Sequence, residues 1–459
     1  MNNSNLRNME NKNVLIVGMG RSGIAATQAM LKLGAKVSIQ DTKLEENLEE
    51  QLVTFLRGKD VTCYFNQTPS DLKQFDTLIL SPGVNPEIPL IQEAKEAGAE
   101  VIGELEIAFR IGSGNYVAIT GTNGKTTTTT LVGEIFERAR RKTYVVGNIG
   151  VAVISASIGA TEDDWLVTET SSFQLETTKY FKPVVSAILN LTPDHLNRHH
   201  TMKAYGEAKA KIFANQKSDG YLVINYDDKD CYRLSKGCQA TIVPFSRKKK
   251  LPFGAFVEDK NIVIKNQKGD IINICGVEEL QIIGDHNLEN ALAAAAISYF
   301  AGVEPKVIGE TLRKFGGVEH RIEYCGEIDG VKFYNDSKGT NIDASLTAIK
   351  AIKKDIILIA GGDGKSQSFD DFIKGFEGRV KKMILLGRDA EIIGKAAEEN
   401  GFSDYVFAKD MDECVKKSFE LAKPGDTILL SPACASWDMY DNFEQRGEHF
   451  KNCVSRLEN

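Results

Sequence analysis

Eight cysteines are scattered through the 459 residues, and none forms a Cys-x-x-Cys pair. Without thiols at metal or redox spacing, neither a zinc site nor a disulfide framework is suggested, and reduced thiols in a cytoplasm are expected. No uninterrupted apolar stretch is long enough to span a bilayer. Residues 1–12 are polar and asparagine-rich, without the apolar core of a signal peptide, so no membrane is expected as a partner. An excess of positive charge is also lacking: 63 acidic residues outnumber 56 lysines and arginines, the net charge is -7, and the longest basic run, Arg-Lys-Lys-Lys at 247–250, reads as a solvated loop. Nucleic acid is therefore not an expected partner. Short-period repeats and long low-complexity segments are absent as well.

What is present fits a globular enzyme. Apolar residues make up 42% and charged residues 26%, and the length exceeds what one core organises. The pattern predicts an α/β fold of three domains: 1–108 Rossmann-like, 109–317 P-loop ATPase-like and 318–459 Rossmann-like. In the first, the apolar run 14–17 meets Gly18-Met19-Gly20-Arg21-Ser22-Gly23. A helix to about Leu33, a strand at 36–40 and another at 77–80 follow. In the third, strands are expected at 356–360, 383–386 and 427–430. An alanine-rich helix is expected at 290–299, whereas 231–276 carries no motif.

Thr120-Gly121-Thr122-Asn123-Gly124-Lys125-Thr126-Thr127 lies between a strand and a helical run. Successive backbone N–H groups in such a loop cradle phosphate oxygens, with the helix N-terminus behind them. Lys125 would neutralise β- and γ-phosphates and Thr126 would offer its hydroxyl to Mg²⁺. Ile119 stands where the strict phosphate-loop pattern has its first glycine. Magnesium needs further oxygen ligands, and Glu169, ending the strand 165–168, is the candidate; read alone it fits a surface glutamate equally well. Three of the six histidines fall at His195, His199 and His200, after another apolar strand. Histidine beside Asp194 favours a site, but spacing does not say which histidine serves it. The Gly18-x-Gly20-x-x-Gly23 pattern with Asp41 downstream suits NAD, another nucleotide or simple helix-on-strand packing.

These motifs carry a resemblance. The phosphate loop, Glu169-Thr170-Ser171-Ser172-Phe173-Gln174-Leu175, Asn190-Leu191-Thr192-Pro193-Asp194-His195-Leu196 and Asp285-His286-Asn287-Leu288-Glu289-Asn290-Ala291 together resemble the Mur ligases of peptidoglycan synthesis, a superfamily that includes folylpolyglutamate synthetase. His320-Arg321-Ile322-Glu323, Asn335-Asp336-Ser337-Lys338-Gly339-Thr340-Asn341, Gly361-Gly362-Asp363-Gly364-Lys365, Leu430-Ser431-Pro432-Ala433-Cys434-Ala435-Ser436 and Asp441-Asn442-Phe443-Glu444-Gln445-Arg446-Gly447 resemble the D-glutamate-adding branch. The Asp-Asn-Pro-Arg motif usual in lysine- and diaminopimelate-adding members is missing.

The resemblance implies a monomeric cytoplasmic ligase that uses ATP and two Mg²⁺ to join D-glutamate to UDP-N-acetylmuramoyl-L-alanine through an acyl phosphate. It implies that Gly121, Thr122, Asn123, Gly124, Lys125, Thr126 and Thr127 hold ATP together with Asn290, Arg321 near the γ-phosphate and Asp336 near the ribose. Thr126 and Glu169 would bind one Mg²⁺ and His195 would help bind a second. Lys209 matches the lysine that CO₂ carbamylates in the family, with Lys211 as the fallback; a carbamate supplies anionic oxygens that a free lysine lacks. Lys125, His195, Lys209 and Arg321 are the implied catalytic set. In the first domain, the resemblance decides for UDP over NAD: Gly18, Arg21 and Ser22 toward the diphosphate, Asp41, Thr42 and Lys43 near uracil or sugar, and Asn148 on the UDP-sugar. Lys338, Thr340, Lys365, Ser436 and Phe443 would surround D-glutamate, whose two carboxylates call for ammonium and hydroxyl donors. Asn197 departs from the family's usual Asp-His-Leu-Asp; with His195 retained, metal binding is still expected, and the change is expected to alter the hydrogen bonds around the metal ligands. Two other classes remain to be separated: a nicotinamide-dependent oxidoreductase, and a nucleotide-regulated binding protein without turnover.

Overall fold

Runs of β-branched and aliphatic residues, each ended by a glycine or polar turn, build the strands of three sheets. The computed structural model describes residues 9–47, 50–56, 58–352, 355–364 and 367–457. The first sheet has five parallel strands in the order Val61–Phe65, Lys36–Asp41, Asn13–Val17, Thr77–Leu80 and Glu100–Gly103. Its central strand is buried on both faces, which is why it reads as an unbroken apolar run. The chain order reverses beside that strand, so the loops leaving the neighbouring strand ends diverge and open a crevice.

The second sheet has nine strands. Thr143–Gly147, Trp165–Glu169, Asn115–Thr120, Val185–Ile188, Tyr221–Asn225, Thr241–Ser246 and Gly254–Glu258 are parallel. Asn261–Lys265 and Ile271–Gly276 then add an antiparallel edge, with a bulge between Ile262 and Val263. The motifless stretch 231–276 thus ends as the border of this sheet. The alanine-rich helix runs Asp285–Phe300, five residues earlier than its alanines suggest, with Asp285 placing a negative charge on its first turn. The third sheet pairs an antiparallel hairpin, Glu323–Ile328 with Val331–Asn335, to four parallel strands ordered Thr427–Leu430, Ile356–Gly361, Val380–Leu386 and Tyr405–Phe407.

The first two sheets share one compact unit, while the third lies in a second unit with Leu280–Leu288. Within the first unit, the helix Glu104–Ile111 links the sheets. The buried Glu106 carboxylate accepts from Arg110 Nε at 2.7 Å and from the backbone N–H groups of Lys179, Tyr180 and Phe181 at 2.9 to 3.1 Å. Phe109, Tyr116 and Phe181 pack edge-to-face beside it, with centroids 5.5 to 5.7 Å apart. Among the described residues no helix is long and apolar enough to cross a membrane.

The three glycines of the first loop differ in what they meet. A Cβ at Gly23 would come within 2.0 Å of the Gly18 carbonyl oxygen, whereas one at Gly20 would meet nothing within 4 Å. Gly23→Ala is therefore expected to destabilise by about 1–3 kcal/mol, the usual cost of overpacking, and Gly20→Ala to leave the fold intact. Thermal melts of the two variants beside the parent protein check this; equal midpoints for all three would refute it.

Candidate functional site

The crevice of the first sheet is a cavity of about 560 Å³. Gly18, Arg21, Ser22, Asp41, Thr42, Lys43 and Asn148 all line it, so the structure gathers every residue expected at the UDP-substrate into one hollow. Gly20 precedes the helix Arg21–Lys32 and has no side chain to obstruct an anion at that helix N-terminus. Asp41 accepts from the Met19 N–H at 2.7 Å and the Lys43 N–H at 2.9 Å, so its carboxylate anchors the glycine loop to the second strand. The far wall comes from the second sheet: Gly147, Asn148 and Gln174 line the cavity, and Arg21 Nη2 lies 3.5 Å from the Gly147 carbonyl.

The phosphate loop joins the strand Asn115–Thr120 to the helix Lys125–Arg138. Gly124 has φ +81°, a conformation that favours glycine, and a Cβ there would reach within 2.3 Å of Asn290 Oδ1. Asn290 is thereby held against the loop, also accepting from Thr128 Oγ1 at 3.3 Å. A second segment braces the other side. Asn190 accepts from the Asn123 N–H at 2.8 Å and donates to the Asn123 carbonyl at 3.0 Å, while Thr122 exchanges hydrogen bonds with Thr192 at 3.1 Å each way. Lys125 Nζ donates to the carbonyls of Gly121 and Thr122 at 3.0 and 2.8 Å.

Lys209, on the helix Met202–Ala210, is 1% exposed and donates to the same Gly121 carbonyl at 2.8 Å, with the Tyr205 ring 4.5 Å away. Burial, and then the nearby charge of Lys125, pull its pKa down to about 7. Lys211, the fallback, instead donates to the Glu176 carbonyl, so of the two lysines it is Lys209 that reaches the Gly121 carbonyl.

Glu169 ends the strand beside the phosphate loop and is 1% exposed. Its Oε1 accepts from Asn148 Nδ2 at 2.7 Å, while Oε2 is buried with no hydrogen-bond partner. An unpartnered buried carboxylate oxygen costs free energy that a bound cation removes. Together with the hydroxyl of Thr126, which follows Lys125 on the same helix, this donor set fits a hard divalent ion such as Mg²⁺.

Burial and partners also sort the three histidines. His199 is buried, with Nε2 2.9 Å from Ser172 Oγ and Nδ1 3.1 Å from Glu176, so both ring nitrogens are occupied. His200 is exposed, 3.4 Å from Glu87. His195 is half-exposed beside Asp194 at 3.4 Å, its ring 4.8 Å from that of Phe173.

In the second unit, Asp336 is buried and accepts from Ser431 Oγ at 2.7 Å and the Ile322 N–H at 3.3 Å. Burial raises its pKa to about 7 against the opposing pull of Ser431 and Arg321. Lys338 Nζ lies 5.4 Å over the Phe443 ring, and Ser436 is buried nearby in sequence to both the Cys434 and Ala435 carbonyls. Thr340 donates its N–H to the Lys338 carbonyl at 2.9 Å. Lys365 lies outside the described residues.

Three residues with organising roles had no role in the sequence reading. Arg446, 2% exposed, donates to the carbonyls of Ser337, Cys434 and Ala435 and to Ser337 Oγ, tying the two turns that carry Lys338 and Ser436. His320 is buried against Asn335 Nδ2 at 2.9 Å. Asn190 braces the phosphate loop. Each sits inside one of the motifs quoted above, which is the sequence signal that marks it.

Three family models match in chain order: a MurD-like N-terminal domain over residues 12–103, the Mur ligase middle domain over 119–298, and the Mur ligase glutamate ligase domain over 320–434. A protein of Thermoanaerobacter sp. (strain X514) named UDP-N-acetylmuramoylalanine–D-glutamate ligase is 48% identical over 98% of this chain and 99% of its own. The chain belongs to the Mur ligase family. A ligase of the same name from Alkaliphilus oremlandii is 49% identical over the same shares. The fold is also similar to that of the UDP-N-acetylmuramate-alanine ligase of Thermotoga maritima, with a TM-score of 0.57 at 19% identity, covering 97% of this chain and 99% of that one. Mur ligases use ATP and Mg²⁺.

Glu169→Gln replaces the unpartnered oxygen by a neutral group of the same shape. The variant is expected to keep the melting midpoint of the free protein and to lose the rise that Mg²⁺ with ATP produces in the parent Mur ligase. Differential scanning fluorimetry with and without Mg²⁺ and ATP reads both; an undiminished rise would remove Glu169 from the metal site.

Proposed function

We infer that the protein is the ADP-forming ligase that joins D-glutamate to UDP-N-acetylmuramoyl-L-alanine in peptidoglycan precursor synthesis. One observation carries this reading: near half identity over almost the whole chain to ligases of that name. The cavity, the braced phosphate loop and the unpartnered Glu169 oxygen support it. Residues 1–108 hold the UDP-substrate, 109–317 hold ATP and 318–459 hold D-glutamate. The protein works as a monomer in the cytoplasm.

The L-alanine carboxylate of the substrate attacks the γ-phosphorus of ATP. A carboxyl O–P bond forms as the bond to the β-phosphate oxygen breaks, and ADP leaves. The amine of D-glutamate, freed of its ammonium proton, then attacks the acyl carbon. A tetrahedral intermediate forms, and the C–O bond to phosphate breaks, leaving the amide; the second nitrogen proton is lost in this step. Both displacements depend on positioning and on charge neutralisation. Lys125 supplies positive charge to the γ-phosphate, and the loop residues Gly121, Thr122, Asn123, Gly124 and Thr127 with Asn290 hold the nucleotide; Arg321 would add charge at the γ-phosphate and Asp336 would serve the ribose. Thr126, Glu169, His195 and a carbamylated Lys209 would hold Mg²⁺, which would supply neutralisation of phosphate charge. Gly18, Arg21, Ser22, Asp41, Thr42, Lys43 and Asn148 hold the UDP-sugar, and Lys338, Thr340, Lys365, Ser436 and Phe443 hold D-glutamate. With both Asp41 oxygens already on backbone N–H groups, the residue serves the glycine loop first.

Phosphate release from ATP and Mg²⁺ with UDP-N-acetylmuramoyl-L-alanine is expected with D-glutamate and not with L-glutamate or L-lysine. Release only with another amino acid would move the acceptor assignment; no release with any would leave a nucleotide-binding protein.

Carbamate formation needs a neutral amine. A lysine lowered to about 7 is mostly charged below that pH and mostly neutral above it. Carbon-13 NMR with labelled bicarbonate is expected to show a protein carbamate signal that grows as pH rises through 7 and is absent in Lys209→Met. The same sign applies to stability. Between about 7 and the ordinary lysine value the unfolded chain binds more protons than the folded one, so the destabilising effect of burying Lys209 is full below 7 and fades as pH rises.

A further inference from the structure

The residue after Asn197, Arg198, reaches both the cavity wall and the aromatic ring that carries His195. Its Nη2 donates to the Val84 carbonyl at 2.9 Å and to Glu176 Oε2 at 2.8 Å. Val84 lines the cavity and presses on the glycine loop, for a Cβ at Gly18 would meet Val84 Cγ2 at 2.7 Å. The Arg198 guanidinium lies 4.9 Å over the Phe173 ring, and the His195 ring lies 4.8 Å from that same ring. Glu176 holds the arrangement from below, accepting from Arg198 and pairing with His199 Nδ1 at 3.1 Å, while His199 stacks on Phe173 at 5.5 Å. Arg198 is largely buried, 12% exposed, so the contact with Glu176 is protected from solvent. A planar guanidinium can stack on a ring and donate in its own plane at once, which lysine cannot do.

We propose that Arg198 is a positioning residue that couples occupancy of the cavity to the placement of His195. It touches no reacting atom; it transmits the position of the Val84 carbonyl through Phe173 to the His195 imidazole. The inference rests on the reading above, in which the cavity takes the UDP-substrate and His195 helps hold Mg²⁺. Among the described residues, the half-exposed His195 has Asp194 at 3.4 Å and the rings of Phe173 at 4.8 Å and Tyr205 at 6.4 Å beside it, so the nearer ring, that of Phe173, sets its bearing most closely. By linkage, a cavity ligand that favours one placement of His195 tightens metal binding there, and the metal tightens the cavity ligand by the same factor.

The test is titration calorimetry of UDP-N-acetylmuramoyl-L-alanine into the full chain, once with EDTA and once with Mg²⁺ and a non-hydrolysable ATP analogue. For the parent protein the second Kd is expected to be lower by a factor of roughly 5 to 150, the usual span of coupling between sites. In Arg198→Ala that ratio is expected to fall to about one, whatever happens to the separate affinities, and Arg198→Lys, which keeps the Glu176 pair but not the planar stacking on Phe173, to leave it near one as well. A merely structural arginine would lower the melting temperature and both affinities and leave the ratio at the parent value, which would overturn the proposal. Should Arg198→Ala fail to fold, Phe173→Leu keeps both Arg198 hydrogen bonds, removes the ring between the two residues and is expected to abolish the ratio as well; an unchanged ratio there overturns the proposal equally. A parent protein that binds no UDP-N-acetylmuramoyl-L-alanine would sink the proposed function and this inference with it. One that binds it with a ratio of one would sink only the coupling.

Discussion

Two lysine side chains converge on one carbonyl oxygen, that of Gly121, at 3.0 and 2.8 Å. Burial, and then the second ammonium so close by, disfavour the charge of the deeper one, and the Lys209 pKa falls to about 7. Much of the central sheet serves this point. The loop must bend through Gly124 to present its carbonyls inward, Asn190 and Thr192 must hold it there, and the helix Met202–Ala210 must deliver Lys209 through the layer of Tyr205. An amine poised between its charged and neutral forms beside the glycine-rich loop follows from packing.

The first unit holds two glycine-rich loops that prepare for anions by different means. The loop after Asn13–Val17 leaves room: Gly20 faces open space, and Asp41 fixes the neighbouring backbone. The loop after Asn115–Thr120 is already crowded, with Gly124 against Asn290 and the lysine folded onto its own carbonyls. For the second loop, a phosphate bound as proposed would exchange places with the Gly121 and Thr122 carbonyls as partner of Lys125. That exchange keeps the ammonium hydrogen-bonded at both ends of the process, so neither state leaves a bare charge.

Local chemistry made part of this legible in advance. Strands buried on both faces read as apolar runs, and phosphate loops need glycine and lysine at fixed offsets, so Asn13–Val17, Thr77–Leu80 and the loop at 121–124 could be placed from the sequence. Residues whose character arises from distant neighbours could not. Nothing near Lys209 in sequence says it is buried, and only the family resemblance singled it out over Lys211. His195, His199 and His200 are alike in sequence and differ only in what the fold sets against them. Arg446 reads as one more charged helix residue, yet its guanidinium gathers carbonyls from turns around residues 337 and 434. The edge strands Asn261–Lys265 and Ile271–Gly276 carry no motif because hairpins at a sheet border need only alternation and a turn.

The Glu106 carboxylate has a temporal meaning. It lies on the last helix of the first sheet's segment, yet three of its four donors are the amides of residues 179–181. A growing chain that has just completed the first five strands therefore holds a carboxylate that water must still serve, since burying it without those amides is costly. Only after some seventy more residues have left the ribosome can that helix settle into its final seat. The seat of that helix is thus complete only when residues 179–181 are in place, so one late turn of the second sheet's segment finishes the border of the first.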